Sequence, residues 1–89
     1  GSEEMSKYEI NFEREILREK SAGILADFDR YLEDNNIDYD DTKNPIILLE
    51  RAITEIYRNI FKPEYDNMIS LKEANAKLDL ATEILNKLS

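Results

Sequence analysis

The chain contains no cysteine, histidine, tryptophan, valine or glutamine, and only two of its 89 residues are glycine and two proline. Each absence closes a class of function. Without Cys there is no disulfide framework and no thiolate chemistry, a composition that suits a reducing compartment. Without His, the commonest general base and the commonest transition-metal ligand are both missing. Two glycines cannot build a glycine-rich phosphate loop. No apolar run approaches the roughly 18–20 residues of a membrane span, and no signal peptide is visible. Positive charge is also short, with 12 Lys and Arg against 20 Asp and Glu and a net charge of −8. Phosphate contacts dominate nucleic-acid affinity and need the opposite balance. An acidic surface suits a basic protein partner instead. The inventory predicts a cytoplasmic protein that is not an enzyme and has no cofactor, metal or small-molecule substrate. It also predicts no contact with nucleic acid or membrane.

What is present is enough for one domain with a modest core. Gly1-Ser2 has the look of an expression scar, so residues 1–5 read as a tag remnant and flexible N-terminus, and 6–89 as a single domain. The stretch that organises it is Ser6 to Asp34, which reads as one long helix. Ser6-Lys7-Tyr8-Glu9 is a capping box at its start, and Asn35-Asn36 supplies residues that tolerate a left-handed stop at its end. At about 100° per residue, Ile10, Leu17, Ser21, Ile24, Leu25, Phe28, Tyr31 and Leu32 fall on one side as a core stripe. On the opposite side stand Tyr8, Phe12 and Ile16 with Glu15 and Glu19 beside them. That outer face runs on through Ala22, Gly23 and Ala26, small enough for another backbone to come close. A Tyr, a Phe and an Ile facing outward call for a cover, either a partner or another part of this chain. Gly23 costs about 1 kcal/mol against Ala in a helix interior, which close packing or a slight bend would explain.

The connector Asn35 to Asn44 closes an acidic segment: from Asp27 to Asp41 there are seven acids against one base, Arg30. Asp34-x-Asn36-x-Asp38-x-Asp40 begins like a calcium-binding EF-hand loop. The sixth position, which needs Gly, is Tyr39, and the twelfth, which needs a bidentate Glu, is Pro45. A solvated loop is the better account. Asn44 then caps a second helix with Pro45 at its first position. Its stripe is Ile46, Leu49, Ile53, Ile56, Tyr57, Ile60 and Phe61, and Lys62-Pro63 ends it. Pro63 to Ile69 reads as a connector whose Tyr65, Met68 and Ile69 close the bottom of the core. A second capping box, Ser70-Leu71-Lys72-Glu73, opens a third helix. Its seam of Leu71, Ala74, Leu78, Ala81, Leu85 and Leu88 suits intramolecular core, thickened by Leu80 and Ile84. The fold class is therefore all-α, a three-helix bundle with a long first helix.

Glu15 and Glu19 are the one carboxylate pair placed to carry chemistry. Like charges four apart on a helix repel by a few tenths of a kcal/mol. They make sense where a cationic surface awaits them. The alternative is that both are simply solvated.

At these residues the chain resembles a known family. Tyr8-Glu9-x-x-Phe12-Glu13-x-Glu15-Ile16-x-x-Glu19-x-Ser21-Ala22 is similar to the first helix of the epsilon antitoxins of epsilon/zeta toxin–antitoxin systems. Thr42-Lys43-Asn44 before the second helix and Ile84-Leu85-Asn86-Lys87 near the end extend the likeness. The break at Phe61-Lys62-Pro63 matches loosely, with Pro63 directly after Lys62. The resemblance implies a partner: zeta toxins, kinases that phosphorylate UDP-N-acetylglucosamine at the expense of ATP and so starve cell-wall synthesis. It implies that the first helix lies against the toxin's nucleotide site and keeps ATP out, and that two antitoxins and two toxins form a heterotetramer. Carried onto this chain, Glu15 and Glu19 match the acidic positions that the resemblance sets against the toxin's phosphate-binding region, with Phe12 and Ile16 alongside; with Tyr8 and Gly23 of the same outer face these are the expected toxin-binding residues. No separate DNA-binding domain accompanies them, so transcriptional self-regulation is not expected. A competing reading makes the chain another acidic interaction module, a DNA mimic or a bacteriocin immunity-type bundle. In that reading the Asp27–Asp41 segment dominates binding.

Overall fold

The computed structural model describes residues 7–88 and contains three α-helices and one short 3-10 turn. The helices are α1 (Lys7–Asp34), α2 (Pro45–Asn59) and α3 (Met68–Leu88), with the turn at Pro63–Tyr65 between the last two. The expected all-α bundle with a long first helix is what forms. Among the described residues there is no strand. The tag remnant, and Ser6 of the first capping box, lie outside the described residues.

Each helix boundary has a local cause. α1 stops because Asn36 turns left-handed, at φ 54°. The Ile37 amide then donates to the Leu32 carbonyl at 2.9 Å and the Asn36 amide to that of Glu33 at 3.2 Å. This pair of reversed bonds satisfies carbonyls that the helix end would otherwise leave unpaired. α2 starts at Asn44, whose side-chain Oδ1 accepts from the Ile46 amide at 2.9 Å, with Pro45 directly inside. It ends at Asn59, three residues short of Lys62. Lys62 is pushed to an extended conformation (φ −80°, ψ 159°) by the proline that follows it.

The third start differs from the expected one. Asn67, not Ser70, is the cap: its Oδ1 accepts from the Ser70 amide at 2.8 Å, so Met68 and Ile69 are helical. A cap bonds the amide three residues ahead, and both Asn67 and Ser70 offer an acceptor at that spacing. Asn67 wins because the 3-10 turn has already set the chain in a helical direction.

The helices run up, down and up. Arg14 of α1 reaches Lys62 and Asp66, while Lys20 reaches Asn75 and Asp79, so α1 and α3 advance side by side. Arg18 lies over Phe61 and Tyr57, which places α2 antiparallel to them. The core is Leu17, Ile24 and Phe28 of α1, Ile53, Ile56 and Ile60 around α2, and Leu71, Ala74, Leu78, Ala81 and Leu85 of α3. Burying one large aliphatic or aromatic side chain contributes about 1.5–3 kcal/mol. This single cluster is therefore what holds so small a domain together. Tyr65 and Met68 pack against it as expected.

Several expected core positions are corrected. Phe61 is 45% exposed, Ile69 74%, Leu80 55% and Leu88 39%. Phe61 lies beyond the end of α2, where the helical stripe no longer applies. Ile69 and Leu80 face away from the α3 seam. Ile47 is buried although it stands off the α2 stripe, at the end of the bundle where the acidic loop returns and Leu32 is also fully buried.

Candidate functional site

The second face of α1 is left uncovered by the other described residues. Tyr8 is 89% exposed, Phe12 64% and Ile16 40%. Of the two covers open to that face, packing within the described chain is not the one found. Glu15, Glu19, Ala22, Gly23 and Ala26 continue the same exposed strip. The expected residues are thus brought together on one helix surface directly opposite the buried Leu17, Ser21, Ile24 and Phe28. Neither Glu15 nor Glu19 forms an ion pair or side-chain hydrogen bond among the described residues. Their charge is therefore available to a partner.

The first turns of α1 run past the point where α2 gives way to the connector. Arg14 marks that point. It is buried, and its Nη2 donates to the Lys62 carbonyl at 2.7 Å and its Nη1 to Asn11 Oδ1 at 3.2 Å. Asp66 Oδ1 stands 3.8 Å from Nη1, and the Phe61 ring centre lies 5.9 Å from the guanidinium carbon. Its Nε has no partner among the described residues. A charge in a nearly closed site costs much unless its donors are used. Arg14 uses its two terminal nitrogens, and through Lys62 and Asp66 they tie α1 to the connector, which fixes how Tyr8 and Phe12 project.

Arg18, one turn on, lies 5.2 Å from the Tyr57 ring centre and 5.8 Å from that of Phe61. Such cation–π stacks hold aromatic rings at a surface where they would otherwise fold inward. The result is a shallow groove of about 450 Å³ between α1 and α2, lined by Glu15, Arg18, Glu19, Ala22, Tyr57 and Phe61. Sequence reasoning placed Tyr57 and Phe61 in the core stripe and passed over Arg14 and Arg18. The signal was present in Arg14-x-x-x-Arg18, two arginines on one flank of a stripe, opposite two aromatic residues four apart.

The acidic segment is differently employed. Asp38 Oδ1 accepts from the Asp40 amide at 2.9 Å and Asp41 Oδ1 from the Lys43 amide at 3.3 Å. Asp29 Oδ1 accepts from the Tyr39 hydroxyl at 3.2 Å, which pins the loop to α1. These carboxylates shape their own turns, as Asp does in loops generally. Among the described residues no group of acids is arranged to hold a metal ion, and no helix is long and apolar enough to cross a membrane.

Comparison with known proteins gives one match. The family model described as "Bacterial epsilon antitoxin" matches residues 6–88, nearly the whole chain. No curated protein and no solved structure matches it.

Proposed function

The chain belongs to the bacterial epsilon antitoxin family, whose members neutralise a toxin and are not enzymes, and from that premise we propose that its partner is a zeta-type toxin kinase. The second face of α1 lies over the kinase's ATP site and excludes the nucleotide, and two antitoxins and two toxins assemble as a heterotetramer. The observation that carries this reading is the unsatisfied face itself: exposed Tyr8, Phe12 and Ile16 with Glu15 and Glu19 between them.

The chemistry fits. A site built for a triphosphate presents Lys, Arg and backbone donors. Two carboxylates without partners among the described residues meet such a site with charge-assisted hydrogen bonds. Phe12 and Tyr8 supply apolar area at its rim, and aromatic anchors of this kind dominate interface energies. Because the carboxylates carry no transferable phosphoryl group, the face occupies the site without being turned over. Gly23 and Ala22 let the toxin's backbone approach further along the helix.

The other acidic-module reading is less well supported, because the Asp29, Asp38 and Asp41 carboxylates are engaged by the chain's own loop. The test is ATP consumption by the kinase encoded beside this gene, with UDP-N-acetylglucosamine as acceptor, titrated with the chain. Inhibition saturating near one-to-one is expected. Full activity at excess chain would overturn the assignment of the partner.

A further inference from the structure

Arg14 and Arg18 stand one turn apart on α1, and the fold treats them differently. Arg14 is buried, and its terminal nitrogens reach Lys62, Asn11 and Asp66. Arg18 is exposed, with its guanidinium over the Tyr57 and Phe61 rings that wall the α1–α2 groove. Among the described residues it makes no hydrogen bond and no ion pair. Glu15 stands three residues before it and Glu19 directly after it, yet neither carboxylate closes on it. Of the side chains lining that groove, only Arg18 carries positive charge.

A guanidinium stacked on aromatic rings spends its flat face there and keeps its five N–H groups, which point outward in its own plane. That fork matches the two oxygens of a carboxylate, which accepts two parallel bonds from it. In the free protein these donors face water. Under a partner they do not. Glu15, Arg18 and Glu19 line one groove, so a surface that covers the two carboxylates also covers the guanidinium. A site rich in Lys and Arg draws the carboxylates to itself. Arg18 is then left dry and without an acceptor, and an unpaired buried charge is strongly unfavourable.

We propose that Arg18 receives an acidic side chain of the toxin, an Asp or Glu that enters the groove and accepts two hydrogen bonds from the guanidinium. Tyr57 and Phe61 already hold the fork in place, so less side-chain freedom is lost on binding. Ala22, one turn on, is too short to close the groove over it. A backbone carbonyl would satisfy one donor and leave the charge; a carboxylate meets both needs. The contact extends the interface from the outer face of α1 to the rings beside it. It also makes recognition more than an acidic surface meeting a basic one. The toxin must set bases against Glu15 and Glu19 and an acid against Arg18, and a toxin without that acid is rejected by the charge it would bury.

This deepens the reading under Proposed function and rests on it. The rival role for Arg18 is to hold the two rings and to soften the repulsion between Glu15 and Glu19. The two roles differ in sign. Against a toxin site that is only cationic, removing a positive charge leaves binding unchanged or tightens it. Against an acid in the groove, it weakens binding.

The test is the affinity of the full chain for the kinase encoded beside its gene, by titration calorimetry without nucleotide. Arg18→Met, which keeps an apolar stem over the rings, should weaken binding at least about tenfold. Arg18→Glu should weaken it at least about 100-fold. Arg18→Lys keeps a cation over the rings but loses the fork, and should fall between the parent and Arg18→Met. Circular dichroism of each free variant checks that its helices persist, as they should at an exposed position. Arg18→Met or Arg18→Glu binding as tightly as the parent, or tighter, would overturn the proposal. So would Arg18→Lys binding as tightly as the parent, since ring-holding alone would then account for Arg18. A parent chain that does not bind this kinase would overturn the partner assignment and this inference with it; a parent that binds, with Arg18→Met its equal, overturns the inference alone.

Discussion

Gly23→Ala should make the free protein more stable and the bound one less so. Gly23 is helical, exposed, and without positive φ. A Cβ built on it meets nothing within 4 Å. Packing among the described residues therefore gives no reason for glycine there, and neither a close helix neighbour nor a strained backbone accounts for it. In a helix interior, Ala is favoured over Gly by about 0.8–1.0 kcal/mol, because glycine has more backbone freedom to lose on folding. For a domain of this size, 1 kcal/mol moves Tm by about 4–8 °C, so the variant should melt several degrees higher. At the interface the sign reverses. A backbone approaching α1 over Gly23 would be held off by the new methyl, and a loss of about 1.4 kcal/mol weakens binding about tenfold. The assay pairs thermal melting of the free chain with inhibition of the cognate kinase by the same preparation. An unchanged or lower Tm would refute the account of Gly23 in the free fold. A higher Tm with unchanged inhibition would refute close approach at that residue.

Two other perturbations test what supports the face. Arg14→Met keeps the length of the side chain and removes its bond to the Lys62 carbonyl, so stability should fall by about 1–3 kcal/mol in urea unfolding. Inhibition by the folded fraction should also weaken, because the projecting turns of α1 lose their tie; a variant as stable as the parent would show that the Arg14 contacts contribute nothing. Desolvation of the Tyr39 ring, with the carboxylates of Asp29, Glu33 and Glu50 nearby, pushes its phenol above the ordinary 10.0. A pKa raised by folding means that the folded state holds the proton more tightly. The associated stability is present below the ordinary tyrosine range and is lost as pH rises through the raised value. Alkaline titration of phenolate absorbance should lose one late-titrating group in Tyr39→Phe, and loss of an early one instead would contradict this environment.

Much of the fold was legible because its signals are periodic. The stripe Leu17, Ser21, Ile24 and Phe28 and the seam Leu71, Ala74, Leu78, Ala81 and Leu85 each mark one side of a regular helix, and both are buried as their spacing requires. The Asn44-Pro45 start and the Asn36 stop were legible because each depends on one residue's own chemistry. What was illegible depends on where helices end and on long-range contacts. Phe61 continues a helical pattern that the backbone has already left, so the ring turns to the surface and stacks on Arg14 and Arg18. Arg14 reads as a solvated charge because its acceptor, the Lys62 carbonyl, lies 48 residues away in sequence. Likewise, the exposed face of α1 could be located from periodicity, but not the aromatic wall that α2 adds beside it.

The most direct test of the central claim is kinase inhibition by the chain carrying Phe12→Ala, Glu15→Ala and Glu19→Ala together. All three side chains are exposed, and none of them packs in the core. Helicity and melting should therefore stay close to those of the parent, as surface substitutions usually change stability by within about 0.5 kcal/mol. Loss of an exposed aromatic anchor and two charge-assisted contacts should weaken inhibition by about 100-fold or more. A correctly folded triple variant that inhibits the cognate kinase as tightly as the parent would contradict the account, and would move the binding surface off α1.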